Sequence, residues 1–258
     1  MRALLIAWTA VLLAVPALAA DTKAELAIPR QRIESADFKA TGRLVRVDAD
    51  GARVSSSLSI KGHWFPGVLR ILVQLGQPAE AHREMRENIL LEMRPNGQNT
   101  IRVANPGDAA PSAVPVEKWS DSQIGPGFGL EDFLDPQYDW PIQSVEEKVK
   151  YGARDCYLVT SKPGTEERTT YAEIRTWLDQ SIGFPVYAEK TLKASGAVKE
   201  FTSMGLRHDQ GVWSANQIEA KLRGQQGSTL LIIEHGSAKA HLTAADFGTA
   251  QLLHFEVR

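Results

Sequence analysis

The sequence predicts an α+β protein that is mainly β and is built around one large antiparallel sheet. Between residues 38 and 235, short runs of alternating apolar and polar residues are separated by glycine, asparagine and aspartate turn signals. Helical periodicity is scarce over the same region. About ten closely spaced strands with few helices are typical of an extensive antiparallel sheet rather than of alternating β–α units.

The first twenty residues are typical of a secretory signal peptide. Arg2 supplies a positive charge, an apolar run follows, and Ala17-Leu18-Ala19 forms an Ala-x-Ala cleavage site. We expect cleavage after Ala19 or Ala20 and export to the periplasm. A retained membrane anchor is the less favoured alternative, because the apolar run is short for a bilayer and meets Pro16.

Residues 21–258 are predicted to form a single domain with a sizeable core. The formal net charge of −2 becomes −3 when Arg2 is removed with the signal peptide. Such a balance argues against binding of nucleic acid or anionic membranes through bulk electrostatics. The single cysteine, Cys156, cannot form an internal disulfide bond, and we expect it to be a buried small apolar residue.

The clearest strand runs from residue 54 to residue 64. Its even positions up to Ile60, together with Trp64, form one face, and serine, lysine and histidine form the other. The turn residues 48–51 connect it to a preceding strand. The N-terminal strands are predicted at 38–47, 54–64, 69–75, 89–94 and 100–103. Residues 79–88 are compatible with a short helix or a strand, and this choice stays open.

Residues 104–127 contain four prolines and three glycines and are predicted to be a long irregular connection. The pattern of short strands then resumes, with turn signals between several of them. The C-terminal strands are predicted at 145–151, 156–161, 169–178, 186–192, 198–206, 217–222 and 229–235.

Motifs that would carry catalysis or metal binding are missing from the sequence. The six histidines include no His-x-x-x-His pair, and no histidine–cysteine set has zinc spacing. There is no Gly-x-Ser-x-Gly elbow, phosphate loop or dinucleotide fingerprint after a predicted strand. We therefore expect no metal, no cofactor and no enzymatic activity.

One acidic stretch, GPGFGLEDFLDPQYDW at residues 125–140, needs a separate explanation. It holds four carboxylates, Glu131, Asp132, Asp135 and Asp139. Paired carboxylates can perform acid–base chemistry when their environments separate their pKa values, so a hydrolase is one interpretation. Adjacent carboxylates on a helix point in different directions, however, which disfavours a shared site.

The preferred interpretation of this stretch is structural. Glu131 and Asp132 would begin a short helix, where negative charge and capping oxygens satisfy free backbone amides. Phe128, Phe133 and Leu134 would pack inward. Gly127 and Gly129 would allow a tight bend before the helix, and Pro136 would end or bend it.

Several motifs resemble the outer-membrane lipoprotein-sorting (LolA-like) family in collinear order. GFGLEDFL (127–134) resembles its Gly-x-x-Phe-Ser-Tyr-Glu-Asp-Leu stretch, and YGARDCYLVTSKP (151–163) resembles its strand pair with a closing Lys-Pro. The strongest match spans 171–201. The residues that carry these matches are Gly127, Glu131, Asp132, Trp177, Asp179, Pro185, Glu189 and Lys199.

The resemblance continues through GVWSANQIEAK (211–221) and AADFG (244–248) and covers nearly the whole mature chain. The sequence departs from the family pattern at Gly129-Leu130, where Ser-Tyr is usual, and at Ala215, where proline is common. The early part of the pattern is blurred around residues 76–86. These departures weaken the N-terminal part of the match more than the C-terminal part.

Membership of this family implies a strongly curved, half-open antiparallel sheet, an incomplete β-barrel with a few helices covering its concave face. In family members the concavity accepts the acyl chains of lipoproteins and carries them through the periplasm. An apolar concave face suits hydrocarbon, because burial contributes about 0.8 kcal/mol per CH₂. The candidate concave-face residues are Val54, Leu58, Ile60, Trp64, Leu69, Ile71 and Val73. Position by position, ordinary core packing beneath a helix explains them equally well.

The leading hypothesis is thus a periplasmic, noncatalytic carrier that binds a lipid or the acyl chains of a lipoprotein. We expect a monomer that contacts membrane surfaces transiently, cooperates with an inner-membrane transporter or exporter, and binds no nucleic acid. A regulatory or scaffold module of the cell envelope is the main alternative, and a carboxylate-dependent hydrolase is the weaker one.

Overall fold

The computed structural model describes residues 23–78, 87–121 and 124–255. The predicted signal peptide and residues 79–86, for which helix or strand was left open, lie outside these ranges. The described part forms one antiparallel sheet of thirteen strands. The strands are β1 (Asp37–Val47), β2 (Arg53–Phe65), β3 (Val68–Pro78), β4 (Glu87–Met93), β5 (Thr100–Ala104), β6 (Ser112–Ala113), β7 (Ile142–Tyr151), β8 (Arg154–Lys162), β9 (Tyr171–Asp179), β10 (Pro185–Leu192), β11 (Val198–Asp209), β12 (Val212–Leu222) and β13 (Ser228–Ser237).

Helices are few and short. The helix α1 (Lys23–Glu34) precedes the sheet, and α2 (Thr249–Leu252) follows it. The described ranges also contain four 3₁₀ helices outside the strands: Val116–Lys118, Leu130–Phe133, Pro136–Asp139 and Ala244–Phe247. None of the helices in the described ranges is long and apolar enough to span a membrane. The predicted fold class, a half-open antiparallel sheet with few helices, is confirmed.

The sheet consists of two meanders that meet at the pairing of β1 with β13. The strand order is β6-β5-β4-β3-β2-β1-β13-β12-β11-β10-β9-β8-β7, so every neighbour except the central pair is also consecutive in sequence. Thr41 pairs with His235 and Gly42 with Ile233, which places a bulge in the middle of the sheet. Bulges bend a sheet and increase its twist. The outermost strands β6 and β7 do not pair with each other, so the barrel stays open.

The main core fills the concave side of this sheet. Alternate residues of each strand point to one face, and those of β2 to β5 meet side chains from α1 and from the connection 114–140. Leu26 and Ile33 of α1 are buried there, at 0 and 7% exposed. The connection contributes Trp119, Ile124, Phe128, Leu130, Leu134 and Tyr138. This connection therefore crosses the concavity and supplies six buried side chains of the core, two of which, Trp119 and Ile124, lie in the region predicted as a long loop.

A second, smaller core covers the opposite face of β3 and β4. Leu72 lies between two concave-face residues of β3 and therefore faces away from them, where it packs with Leu90, Phe247 and Leu252. The Asn88 side-chain amide donates hydrogen bonds of 2.9 Å to the carbonyls of Leu252 and His254. The C-terminal helices thus cover the convex side, whereas the sequence predicted helices on the concave side alone.

The structure corrects several local predictions. The helix α1 was not predicted, and the two-residue strand β6 lies inside the region predicted as irregular. The strand β12 begins at Val212, five residues before its predicted start. Pro136 neither ends nor bends the helix of the acidic stretch. That helix ends at Phe133, and Pro136 starts a separate 3₁₀ helix at a position where its missing N–H costs nothing.

Candidate functional site: a cavity on the concave face

A large cavity remains where the concave face is not filled. It lies between the end of α1, strands β1 to β3, the segment 128–135 and strands β10 to β13, and it has a volume of about 450 Å³. Volumes of roughly 300–1,000 Å³ are typical of small-molecule sites. Most of its surface is apolar, and its apolar lining residues include Ile60, Ile71, Phe128, Phe201, Ile218 and Leu231.

The alternation of side chains along the C-terminal strands determines which of their residues line the cavity. Ala188 and Lys190 are two apart on β10, and Phe201 and Ser203 are two apart on β11, so each pair shares the concave face. Ala188 pairs directly with Phe201 across the two strands. The small alanine beside a large ring leaves open space that two large side chains would fill.

The seven predicted concave-face residues divide into three groups. Ile60, Leu69 and Ile71 are buried in the main core and line the cavity. Leu58 and Val73 belong to the packed core, so the core-packing alternative describes these two. Trp64 is half-buried against the same core, and Val54 is half-buried at the far end of β2. Contact between any of them and a ligand stays a prediction.

Sequence reasoning missed most of the cavity wall, which comes from β10 to β13 and from two phenylalanines of the acidic stretch. The unpredicted lining residues include Phe128, Phe133, Ala188, Phe201, Leu231 and Ile233. The same alternation was readable in β10 and β13, but β2 and β3 showed it more cleanly.

The acidic stretch forms a buried ionic cluster at the cavity. The Asp132 side chain is 0% exposed. Its Oδ2 accepts from the ammonium of Lys199 at 2.8 Å and from the Gly129 N–H at 2.8 Å. Its Oδ1 accepts from Lys190 at 3.2 Å and from the Tyr171 hydroxyl. Although burial opposes ionisation, these two lysines hold the pKa of Asp132 below its usual value.

Asp132 offsets the repulsion between two lysines of the sheet. Lys190 and Lys199 stand directly opposite each other on β10 and β11, and like charges in that position repel. Both lysine side chains are nearly fully buried, at 5 and 2% exposed. Asp132 bridges them from the segment that crosses the concavity. The contact with Gly129 is the predicted helix-start cap, but the larger role of Asp132 is to neutralise the two lysines.

Glu131 points the other way, as expected for neighbouring helical residues. Its Oε2 accepts from the Thr170 N–H at 3.0 Å and from the Thr170 hydroxyl at 2.6 Å. The other oxygen, Oε1, is buried without a hydrogen-bond partner among the described residues. Burial, followed by the nearby charge of Asp132, raises the pKa of Glu131 and favours its neutral form.

The remaining acidic residues of the stretch hold α1 over the concavity. Arg30 lies 3.4 Å from Asp139 and donates a 2.7 Å hydrogen bond to the Tyr138 carbonyl. Arg32 lies 3.7 Å from Asp135. The four carboxylates therefore serve two neighbouring elements, two of them facing the sheet and two facing the helix.

Several family-motif residues make turn and packing contacts. Gly127 has φ +72°, and a Cβ there would lie 2.6 Å from the Lys221 carbonyl carbon, so only glycine fits. Asp179 accepts from the backbone N–H and hydroxyl of Ser181 and from Arg154, which fixes the turn before Pro185, the first residue of β10. Trp177 packs edge-on against Tyr187 at 5.0 Å. Across the described ranges, no group of three or more His, Cys, Asp or Glu residues could hold a metal ion.

Comparison with known proteins agrees with this architecture. A family model described only as "Uncharacterized protein" matches residues 106–254, more than half of the 258 residues. No curated protein matches the chain.

Three solved structures share the fold. A domain described as an outer-membrane lipoprotein-sorting protein from Vibrio parahaemolyticus has a TM-score of 0.77 at 18% identity, covering 91% of this chain and 100% of that one. A DUF1329 family protein from Desulfovibrio piger has a TM-score of 0.75 at 14% identity, covering 90% and 98%. A LolA superfamily protein from Nitrosomonas europaea has a TM-score of 0.63 at 15% identity, covering 86% and 98%.

The predicted resemblance is thereby confirmed at the level of the fold. The chain belongs to the family of the matching model, and it has the LolA-like fold.

Proposed function

We propose that this protein is a noncatalytic carrier that binds a lipid, or the acyl chains of a lipoprotein, in its concave cavity. The observation that carries the proposal is the apolar cavity of about 450 Å³, left open in a face that is otherwise packed. Each CH₂ group moved there from water contributes about 0.8 kcal/mol. A chain of several carbons would therefore be retained without any specific polar contact.

The arrangement of the carboxylates supports the noncatalytic part of the proposal. Asp132, the one carboxylate with a fully buried side chain at the cavity, is held ionised between two lysines. A general acid or base needs a pKa close to the working pH and access to the reacting atom. The lowered pKa of Asp132 and its saturation with hydrogen bonds fit a structural counter-ion better than the hydrolase alternative.

The cellular setting forms part of the same proposal. We infer cleavage of residues 1–20 and a single lipid-binding domain over residues 21–258, acting as a monomer in the periplasm in transport to the outer membrane. The description of the Vibrio relative as a lipoprotein-sorting domain supports this setting. An inner-membrane transporter or exporter would supply the cargo through transient contact at the membrane surface.

A variant that fills the cavity tests the proposal. Ala188 is buried in the cavity wall opposite Phe201, so Ala188→Trp should occupy the space that a chain would take. The matched control is Ala172→Trp on β9, where the side chain is exposed. Delipidated protein would be titrated with a fluorescent long-chain probe, and folding would be checked by circular dichroism.

We expect saturable binding by the wild type and by the Ala172→Trp control. Ala188→Trp should bind the probe at least about tenfold more weakly, which corresponds to a loss of about 1.4 kcal/mol of binding free energy. If folded Ala188→Trp bound the probe as tightly as the wild type, the ligand would have to bind elsewhere on the molecule. If the wild type bound no hydrocarbon at all, the scaffold alternative would replace the carrier.

A further inference from the structure

A buried lysine at the wall of a mostly apolar cavity needs an explanation beyond hydrocarbon binding. Lys190 lines the cavity and is 4% exposed. The other cationic lining residues, Arg32, Lys39 and Arg207, are half-buried or exposed. Among the buried lining residues of the described ranges, Lys190 is the one cation. Charged side chains are rarely buried this deeply unless they are paired.

Lys190 has unused hydrogen-bonding capacity. An ammonium group carries three donors, and in the described part of the chain its one hydrogen-bond acceptor is Asp132 Oδ1 at 3.2 Å. Its other neighbours are aromatic faces, with Nζ 4.6 Å from the Phe201 ring centroid and 5.5 Å from that of Tyr171. Ring faces attract a cation but leave its N–H groups available to an incoming oxygen.

Asp132 has three hydrogen-bond donors besides Lys190. The closer ammonium of Lys199, the Tyr171 hydroxyl and the Gly129 N–H already donate to its two oxygens. Lys199 is also fixed on its far side by a 3.0 Å hydrogen bond to the Ser120 carbonyl. Lys190, which makes the longer contact and lines the cavity, is thus the lysine that is free to bind a second anion.

The charge count at the site leads to the same conclusion. Within the buried cluster, the ammonium groups of Lys190 and Lys199 both pair with the one carboxylate of Asp132, because Glu131 accepts hydrogen bonds from Thr170 instead. Within this buried cluster one positive charge therefore has no carboxylate of its own, since the other carboxylates that line the cavity, Asp37, Asp135 and Asp209, are half-buried or exposed. Burying an unbalanced charge is costly, and one monoanionic group of a ligand would balance it.

We propose that the preferred ligand is a single-chain amphiphile with a free carboxylate, which binds with its head group at Lys190 and its chain along Phe201, Ile218 and Leu231. The inference rests on the proposed carrier function and specifies its ligand class. Acyl chains that are ester- or amide-linked bring no such charge. A lone buried ammonium matches a monoanion better than a phosphate dianion, for which bidentate arginine recognition is common.

The test compares one chain with three head groups. Hexadecanoate, hexadecanol and hexadecyl phosphate would be titrated by calorimetry into delipidated wild type, Lys190→Met, Lys190→Arg and the control Lys150→Met. Lys150 is 65% exposed on the outermost strand β7, paired with Asp155, and lies outside the cavity. Lys190→Met should fold, since Asp132 keeps its other three donors; urea unfolding checks this.

We expect the wild type to prefer hexadecanoate over hexadecanol by about ten- to a hundredfold, the value of a charge-assisted hydrogen bond. Lys190→Met should lose this preference while binding hexadecanol as the wild type does, and Lys190→Arg and Lys150→Met should retain it. A wild type that binds both equally, or a folded Lys190→Met that keeps the preference, would overturn the proposal. Tighter binding of hexadecyl phosphate would overturn the carboxylate assignment. Failure of all three ligands to bind would instead reject the carrier function itself.

Discussion

Each face of the β10–β11 ladder carries a pair of like charges, but the two pairs lie in different surroundings. On the concave face Lys190 pairs with Lys199, and one rung further along, on the outer face, Glu189 pairs with Glu200. Each like-charged pair is bridged by one opposite charge. Asp132 bridges the lysines, and Arg223 bridges the glutamates at 2.6 and 2.7 Å.

The two bridging residues differ in their exposure to water and in the segment of the chain that carries them. The Arg223 side chain is 47% exposed, whereas that of Asp132 is 0% exposed. Arg223 follows β12 at the sheet surface, but Asp132 belongs to the segment that crosses the concavity. The inner bridge therefore joins the sheet to the cavity wall, and the outer bridge is a surface network. Water screens the charges on the outer face. The charges on the concave face interact more strongly because they are buried away from water.

Removing the inner bridging charge should have the largest effect on stability. Asp132→Asn leaves two buried ammonium groups facing each other, and loss of one partner from a buried ion pair costs about 3–5 kcal/mol. Urea unfolding followed by tryptophan fluorescence would measure the loss in the free energy of unfolding. A loss below about 1 kcal/mol, the range of surface pairs, would contradict the assigned coupling.

Removing one inner lysine should have an intermediate effect. Lys199→Met breaks the hydrogen bonds to Asp132 and to the Ser120 carbonyl but leaves Asp132 with Lys190. Hydrogen bonds to charged groups contribute about 1.5–3 kcal/mol, and we expect a loss of that size in urea unfolding. The control is Glu200→Gln on the neighbouring outer rung. Equal losses in the two variants would show that the faces do not differ.

Glu131 gives the inner cluster a pH dependence of its own. Its pKa is raised in the folded state from the ordinary 4.5, so its favourable contribution is fully present below pH 4.5 and is lost as the pH rises through the folded value. Glu131→Gln removes this dependence. The stability of the variant relative to wild type should therefore increase with pH above 4.5, measured by urea unfolding at several pH values. A constant difference would indicate that Glu131 is ionised in the folded protein.

The smallest effect is expected at the outer bridge. Arg223→Gln leaves Glu189 paired with Arg175 at 3.2 Å and in contact with water. Exposed ion pairs contribute about 0.2–1 kcal/mol, and the loss should shrink further in 0.5 M NaCl because salt screens exposed charges. A loss as large as that of Asp132→Asn, or one that salt does not change, would remove the distinction between the two faces.

The sequence predicted the strands well, because alternation of polar and apolar residues is a local signal. Ile60, Leu69 and Ile71 were assigned to the concave face from that pattern and are buried there. The helix α1 was missed because Pro29 lies inside it and its apolar stripe is weak. What holds it is tertiary contact, through Leu26, Ile33 and the ion pairs of its arginines.

The ionic cluster could not be predicted from local sequence patterns, for a different reason. Asp132 and Lys199 were recognised as family-motif residues, but their contact depends on how the segment 114–140 crosses the sheet. Lys190 was not singled out, since a lysine in a strand is expected to face water. Only the register of β10 against β11 places it opposite Lys199. Register and crossing segments are long-range properties that no local pattern encodes.

Photo-crosslinking would show whether hydrocarbon occupies the concave cavity. Hexadecanol with a diazirine at mid-chain would be bound to delipidated protein and irradiated, and the labelled peptides would be located by mass spectrometry. We expect saturable labelling of the cavity wall, at Phe201, Ile218 or Leu231, that excess unlabelled chain abolishes. Labelling confined to the convex side around Leu72 and Phe247, or labelling that does not saturate, would contradict it.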